Sequence, residues 1–242
     1  MNVGGRAFNG GVNFMSDDFT AKFVMQSDGT YSISVEKRIK TSGIKKYIRE
    51  IPLVKGMFSL LTNNRLILII VVLSILNDVV KYNDYIGNSS VHLPVLIISL
   101  AGSLAVFIYI IKTMIFKIKE TWRFHGAEHK TIYAHGHGMD LTLENVRGCP
   151  RVAKRCGTNL VVFILLFYIT MSFFIEFESV TLVASYVLAY ELFDLENGEK
   201  LPVIKVLFKI GNWCQQHIFT MEPTDAQILA SIETMKKLIE TR

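Results

Sequence analysis

Residues 93–116 read LPVLIISLAGSLAVFIYIIKTMIF and contain one charged residue, Lys112. The run has about the 20 apolar residues that a helix needs to cross the hydrocarbon core of a bilayer. Lys112 stands near its end, where the side chain can reach the lipid headgroups. The mean hydropathy of the whole chain, +0.35, is also high for a water-soluble domain. This stretch therefore predicts a transmembrane helix.

Three further apolar runs extend this prediction. Residues 160–175 (LVVFILLFYITMSFFI) and 180–193 (VTLVASYVLAYELF) are separated by a short acidic link and predict a tight helical hairpin in the membrane. Residues 64–82 form a span if Asn77 and Asp78 lie at headgroup level. We therefore expect a mainly α, polytopic helical membrane protein with about four transmembrane helices, a small N-terminal β-hairpin and a cytoplasmic helical cap.

The distribution of basic residues predicts the orientation of these spans, because lysine and arginine are retained on the cytoplasmic side of short loops. They are concentrated before residue 66 and within residues 117–158, whereas the opposite loops contain Lys81 alone. We expect a multi-pass protein of the cell membrane, surrounded by the lipid bilayer, with both termini in the cytoplasm. The formal net charge of +5 arises largely from these loops. No basic patch with interleaved aromatic residues indicates a nucleic acid partner.

The three cysteines, Cys149, Cys156 and Cys214, do not indicate a disulfide framework. They are odd in number, form no Cys-x-x-Cys pair and fall in segments assigned to the reducing side of the membrane. The glycine-rich start lacks the apolar core of a cleavable signal peptide.

The chain divides into five predicted parts. Residues 1–62 form a cytoplasmic segment with a β-hairpin and an interfacial helix, and residues 63–116 form transmembrane helices 1 and 2. Residues 117–158 form a central cytoplasmic segment, and residues 159–195 form transmembrane helices 3 and 4. Residues 196–242 form cytoplasmic C-terminal helices.

Local patterns place three elements within these parts. Residues 21–26 and 31–36 partly alternate around Asp28-Gly29, a dipeptide typical of a hairpin turn. Because a lone hairpin is marginal in water, we expect it to pack on another cytoplasmic element or to pair with the glycine-rich start. Residues 45–61 mix apolar and basic residues, as does a helix that lies on a membrane surface. From residue 117 to about residue 134 we expect the second span to continue as a helix, because Gly126 alone disfavours it.

A His-x-x-Glu-His motif lies in this continued helix, where residues 124–130 read FHGAEHK. His125 and His129 are one helical turn apart on the same face, with Glu128 adjacent. Imidazole is a good zinc ligand, and a neighbouring carboxylate can coordinate the metal or accept a proton from its bound water. This order of residues is that of the inverted zincins. We predict a divalent metal site, with zinc as the expected ion; the alternative is a polar helix face whose histidines only form hydrogen bonds.

The predicted site needs at least one more ligand. Glu191 lies near the cytoplasmic end of the fourth predicted span, where a carboxylate is costly unless it is paired, ligating or hydrated. Cys156 lies among basic residues that favour a thiolate, which could bind a soft metal. A solvated Glu191 and a buried, unreactive Cys156 remain the ordinary alternatives. His135 and His137 lie in a predicted loop and could serve only as auxiliary ligands.

Several short boxes, taken in order, resemble the YqhQ family of bacterial multi-pass membrane proteins, which are of unknown function and are predicted to be metal-dependent enzymes. The boxes are GGRA at 4–7, IPLVKG at 51–56, FHGAEHKT at 124–131, RCGT at 155–158, YEL at 190–192 and EPTD at 222–225. The resemblance implies a metal site at His125, Glu128 and His129, with Cys156 and Glu191 as companions. The chain differs from the usual family pattern at residues 9–15, 153–154 and 221, and so resembles a divergent member.

Two functions remain open from the sequence. One is metal-assisted hydrolysis of a membrane-borne lipid or peptide, with Glu128 as the catalytic general base or as a ligand. The other is a non-enzymatic membrane scaffold or accessory protein whose basic face recruits a membrane protein or an anionic lipid. Arg147, Arg151, Lys154 and Arg155 would contribute to that face or would simply mark the cytoplasmic side. The oligomeric state is open.

Overall fold

The computed structural model of the chain describes residues 3–26, 29–38, 51, 53–63, 65–85, 92–195 and 198–241. Within these residues the chain is mostly helical and contains a four-stranded antiparallel sheet. It divides into two compact units, each assembled from separate stretches of sequence. Unit 1 contains Met1–Thr41, Ile115–Thr158 and Asn212–Arg242, and unit 2 contains Ser42–Met114 and Asn159–Gly211.

The sheet belongs to unit 1 and is a meander. Its strands are β1 (Gly4–Phe8), β2 (Gly11–Met15), β3 (Phe19–Met25) and β4 (Tyr31–Lys37). Each strand pairs antiparallel with the next one in sequence. The pair β3–β4 confirms the predicted hairpin, although Ser27 and Asp28 of its turn lie outside the described residues. The glycine-rich start supplies β1 and β2, and β2 pairs with β3 of the hairpin, which was one of the two expected alternatives, although the two strands themselves were not assigned from the sequence. Gly10 turns the chain between β1 and β2 with a φ of +77°.

The helices of the described chain are α1 (Val54–Asn63), α2 (Arg65–Tyr85), α3 (His92–Gly136), α4 (Leu143–Gly148), α5 (Gly157–Met171), α6 (Glu178–Asp194), α7 (Pro202–Cys214) and α8 (Asp225–Glu240), with a 3-10 turn at Gly198–Lys200 and a π-helical turn at Gln215–Phe219. The predicted helix of residues 45–61 is observed in part, as α1. Residues 39–50 and 52 lie outside the described chain. α3 confirms the continuous helix that was expected to carry the His-x-x-Glu-His motif.

The core of unit 1 forms between the sheet, the end of α3 and the last helix. Val12 and Phe14 of β2 and Ala21 and Phe23 of β3 are buried, because alternate residues of a strand face the same side. They pack in one cluster with Phe124 of α3 and with the apolar face of α8. α8 begins with a capping box formed by the Thr224 and Gln227 side chains. This packing fixes the helical segment that carries the histidine motif.

No helix within the described residues is both long enough and apolar enough to span a membrane. α5 and α6, predicted as a transmembrane hairpin, contain 15 and 17 residues, fewer than the roughly 20 that a span needs. α2 has 21 residues but includes Arg65, Asp78, Lys81 and Asp84. The predictions of a polytopic fold with four transmembrane helices and of a multi-pass membrane localisation are contradicted by this finding.

Asp78, which was predicted at headgroup level, instead caps a helix in unit 2. It is buried, and its carboxylate accepts hydrogen bonds from the backbone N–H groups of Glu178 (2.9 Å) and Ser179 (2.8 Å) at the start of α6. These N–H groups have no partner inside their own helix, so a carboxylate there is stabilising. Asn77 and Lys81 both contact the Glu178 carboxylate. The polar end of the first predicted span therefore binds and stabilises the start of α6.

Unit 2 is rich in apolar residues, and some of their side chains are exposed. Its buried cluster contains Phe163, Ala189, Ile204 and Phe208. Other large apolar side chains of the same helices are exposed, and Phe173 and Phe174, between α5 and α6, are 81% and 84% exposed. The apolar runs thus supply more hydrophobic side chains than this cluster buries.

Candidate metal centre

Three potential metal ligands converge in unit 1. His125 and His129 lie one turn apart near the end of α3, and their ring centroids are 4.3 Å apart. Cys156 comes from the loop that precedes α5. One ligand atom from each of these residues lies within 4.8 Å of the other two. The structure therefore brings together three of the five residues that the sequence proposed as ligands.

Backbone carbonyl groups fix the orientation of both imidazole rings. Nδ1 of His125 lies 2.9 Å from the carbonyl oxygen of Phe219, and Nδ1 of His129 lies 2.7 Å from that of Arg151. Because a carbonyl oxygen can only accept, the proton of each neutral ring resides on Nδ1, and Nε2 keeps its lone pair. Metal-binding histidines characteristically donate their second ring nitrogen in this way. Both rings are oriented as zinc ligands would be.

The contact between His125 and Cys156 has a length that suits two ligands of one ion. Nε2 of His125 lies 3.3 Å from Sγ of Cys156. Zinc–nitrogen bonds of about 2.0–2.1 Å and a zinc–sulfur bond of about 2.3 Å place tetrahedral ligands about 3.5 Å apart. The same separation also allows a direct hydrogen bond between thiol and imidazole. Such a bond would agree with the alternative in which the histidines only form hydrogen bonds.

A buried glutamine holds the loop that carries Cys156. Oε1 of Gln215 accepts a hydrogen bond from the backbone N–H of Ala153 (2.9 Å), and its Nε2 donates to the carbonyl of Ala153 (3.1 Å). Gln215 is also the first residue of the π-helical turn, whose last residue is Phe219, the partner of His125. π-Helical turns are rare and occur frequently at functional sites.

Glu128 lies in the wall of the site and outside the group of three donors. Its carboxylate receives a hydrogen bond from the backbone N–H of Ala7, and an added Cβ on Gly5 would lie 2.5 Å from its Oε1. Strand β1 therefore covers this side chain closely, and a larger residue at position 5 would require the Glu128 side chain to shift. Burial raises the pKa of Glu128 to about 7, although His125 and the Ala7 N–H act in the opposite direction.

Gly126 lets the C-terminal segment approach the motif. A Cβ at this position would overlap the carbonyl oxygen of Met221, and it would lie 3.3 Å from Pro223. The N–H of Met221 donates to the carbonyl of Trp122 on the same helix (3.0 Å). The glycine between the first histidine and the glutamate is therefore required by close packing, at some cost to helix stability.

A cavity of about 940 Å³ lies beside the three donor residues, which contribute to its lining together with Glu128. Strand β1, the end of α3 and residues 152–158 form its walls. This volume is within the range of small-molecule sites.

The basic residues before Cys156 have different surroundings. Arg147 pairs with Asp225 (2.5 Å), and Arg151 pairs with Glu222 (3.2 Å). Arg155 instead lines the cavity. Lys154 also lines the cavity.

Glu191, the remaining predicted ligand, lies in unit 2. Its Oε1 accepts a hydrogen bond from the backbone N–H of Leu53 (2.9 Å), a residue with a φ of +63°. The contact joins residues 51–56 to residues 190–192, two of the boxes that carried the family resemblance. The structure gives Glu191 this contact and does not place it in the group of three donors.

The sequence did not reveal the groups that orient the ligands. Arg151 and Phe219 act through backbone carbonyls, which no pattern of residue types can indicate, and glutamine at position 215 carries no signal of its role. His135 and His137, proposed as auxiliary ligands, lie outside the donor group that the described residues form.

The chain is similar to proteins whose function is unknown. Residues 29–241 match the family described as Protein of unknown function (DUF1385). Over 132 residues the chain is 28% identical to the Uncharacterized protein YqhQ of Bacillus subtilis (strain 168), a match that covers 50% of this chain and 41% of that relative. No solved structure matches the chain. Because the family match covers most of the sequence, it confirms the resemblance found in the short boxes, and the chain belongs to the DUF1385 family.

Proposed function

We propose that this protein binds one divalent metal ion, preferably zinc, through His125, His129 and Cys156, and that it hydrolyses a small substrate in the adjacent cavity. The convergence of three donor atoms within 4.8 Å carries this proposal. Both histidines are already oriented through Nδ1. Two imidazoles and a thiolate are a donor set that suits zinc.

The number of donors favours a catalytic ion over a structural one. Structural zinc sites have four protein ligands, whereas catalytic sites have three and leave one position for water or substrate. The donor group in the described chain contains three residues, and all three line the cavity. A zinc ion bound there would activate water and polarise a carbonyl or phosphoryl oxygen.

We assign proton transfer to Glu128. In hydrolysis the oxygen of water bonds to the electrophilic atom of the substrate, the bond to the leaving group breaks, and a proton moves from the water to the leaving group. A carboxylate held in the cavity wall by the Ala7 N–H can carry that proton. A membrane-borne substrate, expected from the sequence, depended on the contradicted spans and is not carried forward.

Elemental analysis of the purified protein tests the metal site. We expect one zinc ion per wild-type chain and loss of the ion in His129→Ala and Cys156→Ser, since each variant removes a donor. His137→Ala is the matched control, because His137 is exposed and lines the same cavity but lies outside the donor group. In cobalt-substituted protein, Cys156→Ser should remove the thiolate-to-cobalt charge-transfer band, and His137→Ala should retain it. Unchanged metal content in both ligand variants would refute the proposal.

Chelation and activity measurements separate a catalytic ion from a structural one. Removal of a catalytic ion should leave unit 1 folded, because the unit has its own apolar core, whereas removal of a structural ion should unfold it. A panel of esters, amides and phosphate esters then tests hydrolysis, and Glu128→Gln should lose activity while it retains zinc. A folded wild-type protein with no bound metal would favour the alternative in which His125 and Cys156 form a hydrogen-bonded structural pair.

A further inference from the structure

The π-helical turn Gln215–Phe219 and the adjoining Thr220 contact the surroundings of all three potential ligands. The carbonyl of Phe219 accepts the Nδ1–H of His125. The carbonyl of Thr220 lies 3.5 Å from Nη1 of Arg151, whose own carbonyl orients the second histidine. The side chain of Gln215 binds the loop that leads to the cysteine. One short segment thus determines where the donors stand relative to one another.

We propose that Gln215 is a positioning residue of the metal site, which sets the place of Cys156 relative to His125. This role rests on the metal site proposed above. Gln215 is not itself a ligand: its side chain is fully buried and contacts the backbone of Ala153 instead of a donor atom.

The hydrogen bonds of Gln215 hold the loop in two directions. Its amide both accepts from and donates to the backbone of Ala153, three residues before Cys156. This two-point contact opposes sliding as well as rotation of the loop. The carbonyl of Gln215 also accepts from the N–H (2.9 Å) and the hydroxyl (2.7 Å) of Thr220, which closes the π-helical turn. The residue that holds the cysteine loop therefore also fixes the turn that ends at the partner of His125.

The effect on metal binding follows from this geometry. The sulfur of Cys156 and Nε2 of His125 are 3.3 Å apart, close to the separation that one zinc ion requires. If the loop shifts by a fraction of an ångström, the sulfur leaves this position while the two histidines, which share one helix, keep theirs. Loss of a group that orients a ligand typically lowers metal affinity about 10–100-fold.

Gln215→Ala tests the proposal, with Gln216→Ala as a matched control. Gln216 has the same side chain, lies in the same turn and is partly exposed. We expect Gln215→Ala to weaken zinc binding about 10–100-fold and to shift the thiolate-to-cobalt band, and Gln216→Ala to change neither. A merely structural role would lower the unfolding temperature but leave the cobalt spectrum of the metal-bound protein unchanged. That outcome would overturn the proposal.

A second readout is independent of metal. In the metal-free protein, alkylation of Cys156 by iodoacetamide reports how well the loop shields this thiol, which is 8% exposed. We expect faster alkylation in Gln215→Ala than in Gln216→Ala. If the wild type binds no zinc but this difference appears, the metal function fails and the positioning role stands. If zinc binds and neither readout separates the two variants, the positioning role fails alone.

Discussion

Substitution of Gly126 by alanine tests how closely the C-terminal segment must pack on the helix that carries both histidines. A Cβ at position 126 would overlap the carbonyl oxygen of Met221 and would lie 3.3 Å from Pro223 and 3.4 Å from Arg151. The overlapping atom belongs to the backbone, and the N–H of the same residue bonds to the carbonyl of Trp122. The segment therefore cannot move aside without weakening that hydrogen bond.

Two opposing effects set the size of the change. Alanine in place of glycine in a helix interior gains roughly 1 kcal/mol, whereas extra atoms in a well-packed site cost roughly 1–3 kcal/mol. Because a backbone oxygen is in the way, we expect the steric effect to win and the free energy of unfolding to fall by about 1–2 kcal/mol. Displacement of this segment would also move Phe219 away from His125, so zinc affinity should fall about 10–100-fold.

The matched control is Gly136→Ala in the same helix. A Cβ there meets no heavy atom within 4 Å, so this variant should be as stable as the wild type or more stable by up to about 1 kcal/mol. Denaturant unfolding and zinc competition titrations measure the two quantities for both variants. Wild-type stability together with wild-type zinc affinity in Gly126→Ala would refute the close approach described here.

Three other substitutions have outcomes that follow from burial and charge. In metal-free protein the unfolded chain releases the Glu128 proton near pH 4.5, and the folded chain releases it near pH 7. The free energy of unfolding should therefore fall by about 3 kcal/mol as the pH rises through that interval. Denaturation curves of Glu128→Gln, measured over the same pH range, should lack this fall. Glu222→Gln removes the anionic partner of the buried Lys130. The free energy of unfolding, measured by thermal denaturation, should fall by about 1–2 kcal/mol, less than for a fully buried ion pair because Glu222 is mostly exposed. Phe124→Ala empties a fully buried site between the sheet and α8 and should cost about 3–5 kcal/mol in denaturant unfolding.

The sequence predicted the features that short-range physics determines. Helix periodicity placed His125 and His129 on one face, and the absence of a strong helix breaker predicted the continuous helix that contains them. The hairpin also depends on residues a few positions apart, and it is present. Strands β1 and β2 were missed because a short glycine-rich stretch carries little side-chain pattern.

For residues 160–175 the transmembrane prediction failed because hydropathy measures how apolar a run is, and not how long its helix will be. The apolar run of residues 160–175 continues past Met171, where α5 ends. Phe173 and Phe174 therefore contribute to the hydropathy of the run but not to the length of the helix. In residues 64–82 the polar end is used to cap another helix through Asp78, which a hydropathy profile cannot show.

The candidate site shows why a motif predicts ligands more readily than it predicts their arrangement. The carbonyls that orient His125 and His129 come from residues 94 and 22 positions away in sequence, and the sulfur that faces His125 is 31 positions away. Only the folded unit brings these groups together, so the arrangement of the donors depends on the C-terminal segment as much as on the motif. A variant that loosens this segment should lose stability together with metal affinity, whereas a variant that removes a donor should lose the metal with the fold intact. Comparison of zinc affinity with stability in Gly126→Ala and His129→Ala distinguishes these two ways of losing the metal.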